Sequence, residues 1–239
     1  MKNNPALRFL LCFLPLFTIS CSSLNSPIAE TSENLPHGLD GSHYYLIQLD
    51  SNSFQKIQDK VIQDYRPDNI PYSKKLYVWD DTFRKNDSQG LNSFGQEQNW
   101  VSMEVTGIAN WSGAGFNLDA KFGYLDMTAL FKSPEDYVFR VALKSSQPNT
   151  SYQLIFTDMV NEAKITIGPA TSSNPEPYTD FERDGKWHEI VIPVSHLQSL
   201  GVTFQKPFAF PNVLAFQAGG IEGTTLDLDA AFFYKPAKN

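Results

Sequence analysis

FRVALK, residues 139 to 144, sets Phe139, Val141 and Leu143 on one face of an extended chain and Arg140, Ala142 and Lys144 on the other. Alternation with a period of two predicts a half-buried strand, one face in a core and the other polar. HEIVI at 188 to 192 repeats the pattern, with Ile190 and Ile192 set against Glu189 and Val191. Working outward, short runs of the same texture span Lys75–Trp79, Trp100–Thr106, Tyr137–Lys144, Tyr152–Phe156, Lys164–Ile167, His188–Ile192, Val213–Gln217 and Leu226–Tyr234, separated by Gly, Pro, Asn and Asp. Strands of this kind with no long helix between them predict an all-β fold, an antiparallel β-sandwich of which the jelly roll is the common form. Short helical turns are expected at Met127–Phe131 and Ser195–Leu200.

Ahead of the sandwich, HYYLIQL at 43 to 49 reads as a strand. Ser53 then caps a segment in which Phe54, Ile57, Val61 and Tyr65 recur three and four apart, one apolar helical face ending near Pro67. Residues 43–72 form a strand–helix extension packed on the main sheet, or else a docking element, and residues 73–237 form the sandwich. The 41% hydrophobic and 13% aromatic content supports a core of that size, while 14 Gly and 15 Pro exclude a long helical bundle. A net charge of -7 without any Lys/Arg cluster excludes nucleic acid as a partner.

The chain begins with an address. Lys2 and Arg8 precede an apolar run, Phe9–Phe17, too short for a spanning helix of ~20 residues. TISC at 18 to 21 resembles a bacterial lipobox, with Thr18 in place of the usual Leu, in which Cys21 becomes the lipidated first residue of the mature chain. The other reading is cleavage after Ser20 for soluble export. A Cys at that junction favours lipidation, because Cys12 and Cys21 are the only two in the sequence and neither can serve a disulfide or metal site in the body. Residues 1–20 are thus read as a lipoprotein signal peptide and 21–42, rich in Ser, Asn, Glu and Pro, as a flexible tether.

Motifs for common chemistries are missing. Ser112 lies in NWSGAG, with Asn110 where a nucleophile elbow needs Gly, and His188-Glu189 continues as a strand instead of H-E-x-x-H. Gly219-Gly220 and Gly223 have the look of hairpin turns, not a phosphate loop. Asp158 with Glu162, and Asp119 with Asp126, solvate turns, although a carboxylate pair for glycoside hydrolysis converges only in the fold. Aromatic residues in turn-rich stretches are the stronger lead. An exposed flat ring stacks on the C–H face of a sugar while amide and hydroxyl neighbours satisfy its hydroxyls, which makes Trp111, Trp100, Tyr178 and Tyr124 candidates. Trp187 and most Phe residues are assigned to the core. Asp227 and Asp229 share a face of the last strand and Asp80-Asp81 follow an early one, so Asp229, Asp227 and Asp81 are candidate oxygen ligands for Ca²⁺, or else cap strand ends.

LYVWDD (76 to 81), WSGAGF (111 to 116), FRVALKSS (139 to 146), DGKWHEIVIP (184 to 193) and GTTLDLDAAFFYK (223 to 235) together resemble carbohydrate-binding modules with a galactose-binding-like jelly roll, as in surface lipoproteins of polysaccharide-utilisation systems. The resemblance implies a non-catalytic protein that binds a glycan, anchored in the outer membrane and facing the cell surface. It also implies a structural Ca²⁺ held by an acid of the terminal strand, here Asp229 or Asp227. Two other readings stand: a structural or protein-binding subunit of an envelope assembly, and a glycoside hydrolase or lyase. Replacing Cys21 by Ser is expected to move the protein from the membrane fraction to the soluble fraction and to end its labelling by radioactive palmitate; unchanged partitioning excludes the anchor.

Overall fold

The computed structural model describes residues 35–67, 76–78, 82–107, 113–118, 124–172, 175–207 and 222–237, with the backbone alone of 214–218. In chain order the elements are β1 (His43–Leu46), α1 (Ser51–Ile57), β2 (Val61–Asp64), β3 (Leu76–Val78), β4 (Phe83–Leu91), β5 (Glu97–Val105), β6 (Gly113–Phe116), α2 (Thr128–Lys132), β7 (Val138–Lys144), β8 (Tyr152–Thr157), β9 (Glu162–Ile167), β10 (Trp187–Pro193), α3 (Val194–Ser199), β11 (Leu214–Ala218) and β12 (Thr225–Lys235). They form the expected sandwich. One sheet runs β10-β7-β12-β1-β2, with β5 and β4 added along the other half of β12; the second runs β3-β6-β11-β8-β9. The strand pairs are antiparallel apart from β1 with β2.

Strand β12 organises the larger sheet. Its first half, Thr225 to Leu228, pairs with β5, and its second half, Phe232 to Lys235, pairs with β1. Between the halves the register against β7 slips, from Asp229 opposite Ala142 to Phe232 opposite Arg140, and Ala230 takes a left-handed φ of 51°. This β-bulge inserts a residue and so reverses which parity faces inward. Leu226 and Leu228 fill the main core before it, and Ala231 and Phe233 after it. Ala230, Phe232 and Tyr234 turn instead to a second core with Leu39, Tyr44, Leu46, Leu49 and Ile57.

That second core changes the reading of FRVALK. Phe139, Val141 and Leu143 do lie in the main core. The opposite face is covered as well: Arg140 and Ala142 are buried. Gly38 makes this possible, because at φ 87° it lies so close that a Cβ there would come within 2.6 Å of the Arg140 Nε. Residues 35–42, read as the end of a tether, therefore belong to the folded unit, and Leu39 is wholly buried.

The expected helix over Ser53–Tyr65 is divided. Asp50 caps it, its carboxylate accepting from the Ser53 N–H at 2.8 Å. The helix stops at Ile57, a 3₁₀ turn follows, and Val61–Asp64 becomes a strand parallel to β1. Ile57 and Tyr65 are buried, as the helical spacing required, but the β-branched pair Val61-Ile62 satisfies its backbone on the edge of β1. Two strands escaped the pattern entirely. β4 is polar between Phe83 and Leu91, where it pairs only with β5, and β6 is GAGF, in which two glycines leave no alternation to read.

The sheets are joined by an aromatic cluster. Phe139 of β7 meets Phe156 of β8 edge-on at 4.9 Å and Phe233 of β12 at 5.0 Å. Phe139→Ala is expected to cost about 3–5 kcal/mol, read as a lower urea midpoint with unchanged slope.

Candidate functional site

The outward face of the second sheet carries a partly exposed aromatic edge. Leu76, Phe116, Leu154, Phe156 and Ile165 point into the core, so the residues between them face away. Register sets Tyr77 beside Gly115, Gly115 beside Ala215, Ala215 beside Ile155 and Ile155 beside Lys164, one row across the five strands. In the next row Gln153 pairs with Thr166, and their side chains are 3.5 Å apart. Tyr77 is 50% exposed, at the edge strand. Gly115 and Ile155 are buried in the middle of that row, so what this face presents is the Tyr77 ring, with the half-buried amide of Gln153 and hydroxyl of Thr166 further along the sheet. Such a surface can stack against the apolar face of a ring and hydrogen-bond its hydroxyls. Tyr77 was legible as an outward position in LYVW, between the core residues Leu76 and Val78.

The aromatic candidates fare differently. Trp100 lies on the larger sheet and is only 6% exposed, so it offers no face for stacking, a correction to the sequence reading. Gly90 abuts its ring, Trp187 meets it edge-on at 5.4 Å, and the Lys144 ammonium sits 3.9 Å from its centroid. Tyr178 is 37% exposed but is engaged at the open side of the sandwich: its N–H donates to Thr166 O, its hydroxyl donates to Val191 O at 3.1 Å, and its ring lies 4.9 Å from His196. Burial pushes its phenol up from the ordinary value. Tyr124 is 47% exposed. Trp111, Asp81 and Cys21 lie outside the described residues. Of the turn acids, Asp126 caps α2 through Thr128, and Asp158 closes the β8–β9 turn.

The two acids of β12 do not act alike. Asp227 is spoken for, with Lys144 at 3.0 Å and the Ser102 hydroxyl donating at 2.5 Å. Asp229 sits at the bulge, wholly buried; its Oδ2 accepts from the Ser93 N–H and hydroxyl at 3.0 and 2.7 Å, while Oδ1 has no hydrogen-bond partner among the described residues. Burial pushes its carboxyl up, against the pull of Ser93, and the neighbouring Asp50 adds to the rise. Gln48 is also wholly buried, and neither polar atom of its side chain has a partner there. Its N–H donates to Ala231 O, two residues past Asp229, and Asp50 accepts from Asn92, the residue before Ser93. Asp50 and Asp229 are thus neighbours at the fork in β12, and the Gln48 backbone is tied to the same bulge. Among the described residues no three His, Cys, Asp or Glu side chains are grouped for a metal. This cluster has two carboxylates and an amide oxygen, a donor set that suits a hard cation.

Comparison with known proteins finds no matching family model and no matching curated protein. Solved structures of similar shape include an exo-β-agarase (TM-score 0.47, 8% identity, 72% of this chain and 24% of that one). Others are a family 11 carbohydrate-binding module of a cellulosomal cellulase of Clostridium thermocellum (0.41, 11%, 69% and 88%) and a family 30 module from the same organism (0.42, 13%, 69% and 88%). This chain spans about a quarter of the agarase. At TM-scores of 0.41 to 0.47 these likenesses carry no argument about ligand or activity.

Proposed function

We propose that the protein is a non-catalytic glycan-binding lipoprotein of the bacterial cell surface, anchored through Cys21 and taking a polysaccharide or oligosaccharide on the open face of the second sheet. The observation that carries this reading is Tyr77, a half-exposed ring at the edge of a sheet whose outward face also carries Gln153 and Thr166. The export signal and the sequence resemblance support it. Retardation in gels cast with a panel of polysaccharides tests it. Tyr77→Ala is expected to weaken retention about ten-fold, whereas Trp100→Phe, altering a buried ring, leaves it unchanged. If no polysaccharide retains the wild type and a stoichiometric envelope protein co-purifies instead, the protein-binding subunit is the correct reading.

The same proposal includes a structural Ca²⁺ on Asp229 Oδ1, one of the three acids expected from sequence, with Asp50 and Gln48 from the neighbouring segment; Asp227 is taken up by Lys144 and Ser102, and Asp81 lies outside the described residues. Leaving Asp229 Oδ1 and the Gln48 amide buried without partners is costly, and a cation would offset that cost. At a hundred-fold excess over its Kd the ion adds about 2.7 kcal/mol. Thermal melts in chelator and in millimolar calcium are expected to differ for the wild type and Asp227→Asn, but not for Asp229→Asn. Identical wild-type melts exclude the ion.

A further inference from the structure

A second groove lies at one end of the sandwich, away from the row that contains Tyr77. A cavity of about 580 Å³ opens between the β8–β9 turn and the chain after α3, and one of about 300 Å³ adjoins it toward α2; both share the wall Thr203-Phe204-Gln205. Pockets of this size hold small ligands. The groove is built, since the carboxylate of Asp158 accepts backbone N–H groups from both lips: Val160 and Asn161 on one, Thr203 on the other, at 2.8 to 3.0 Å. Both lips also hold an apolar residue in left-handed backbone, Met159 at φ 71° and Phe204 at φ 38°. Residues without glycine's freedom take such angles only where the surrounding structure holds them there, and such strain clusters at ligand sites. Val160, 86% exposed, and Met159 present apolar surface to solvent beside the larger cavity.

The charge at this groove is opposite to that of the chain. Lys206 lines the larger cavity and Lys132 the smaller. The one acid in either lining, Asp158, is held ionised, because its backbone N–H donors outweigh the burial that would raise its carboxyl; its oxygens point into those donors, so two lysines face one inward-bonded carboxylate. Asn161, Gln198, Gln205 and Thr128 supply amides and a hydroxyl. We infer that this groove is a second ligand site, for an acidic saccharide unit: its carboxylate or sulfate meets Lys132 and Lys206, its hydroxyls meet the amides, and its C–H surface rests on Met159 and Val160.

Calorimetric titration of the full chain with an oligogalacturonate, a sulfated galacto-oligosaccharide, a neutral gluco-oligosaccharide and a poly-glutamate peptide tests the inference. At least one of the two anionic saccharides is expected to bind, more weakly as salt rises, and the one that binds shows whether carboxylate or sulfate is the source of charge. The double variant Lys132→Gln, Lys206→Gln is expected to lose that binding by about ten-fold or more with an unchanged melting curve, and amide resonances of Asn161 and Gln205 shift on titration. Tyr77→Ala leaves this binding intact, which separates the groove from the sheet face. Absence of binding by both anionic saccharides, equal binding of the neutral one, or indifference to the double variant overturns the inference; preferential binding of poly-glutamate overturns it in favour of an acidic peptide.

Discussion

At the bulge between Asp229 and Phe232, one extra residue lets a single strand serve two cores. Without it, Phe232 and Tyr234 would continue the parity of Leu226 and Leu228 and point into the main core, where Phe233 now stands. With it, β12 leaves β5 and takes β1, and the sheet divides. The division creates a fork, and a fork in a sheet leaves backbone and side-chain polar groups without ladder partners. Ser93, Asn92, Asp50 and Gln48 come to that place, and Asp229 is the residue they gather around.

Much of this fold could be read from residue order. Wherever one face of a strand meets the core and its neighbours are polar, as at Lys164 to Ile167, period-two alternation reports the strand directly; at Phe139 to Lys144 it reports the strand although the opposite face is buried too. The failures have separate physical causes. Edge position made β4 polar, and glycine removed the pattern from β6. Over Ser53 to Tyr65 the same apolar spacing satisfies a helix that stops at Ile57 and a strand that follows it, and only pairing with β1 decides between them.

The candidate site was less legible, for reasons that differ by residue. Trp100 stands in a strand, as its surroundings indicated, yet nothing in its neighbours announces that Gly90, Trp187 and Lys144 close over it. Asp227 and Asp229 look equivalent in LDLD; a lysine of β7 claims the first and the bulge isolates the second. Gln48 had no signal at all, since its significance lies in being buried without a partner. Tyr77 was visible in the alternation of LYVW, but its value as a ligand surface depends on the glycines of β6, which come beside it only when the sheet is assembled.

The chain enters the described fold ahead of β1, and β1 lies between β12 and β2 with His43 opposite Lys235. Before it, His37 is held by Glu189, which also holds Arg140. Tension drawn along the strand from its N-terminal side therefore loads two hydrogen-bonded ladders in shear at once, with many bonds sharing the force, where a strand at a sheet's margin would have only one ladder to share it.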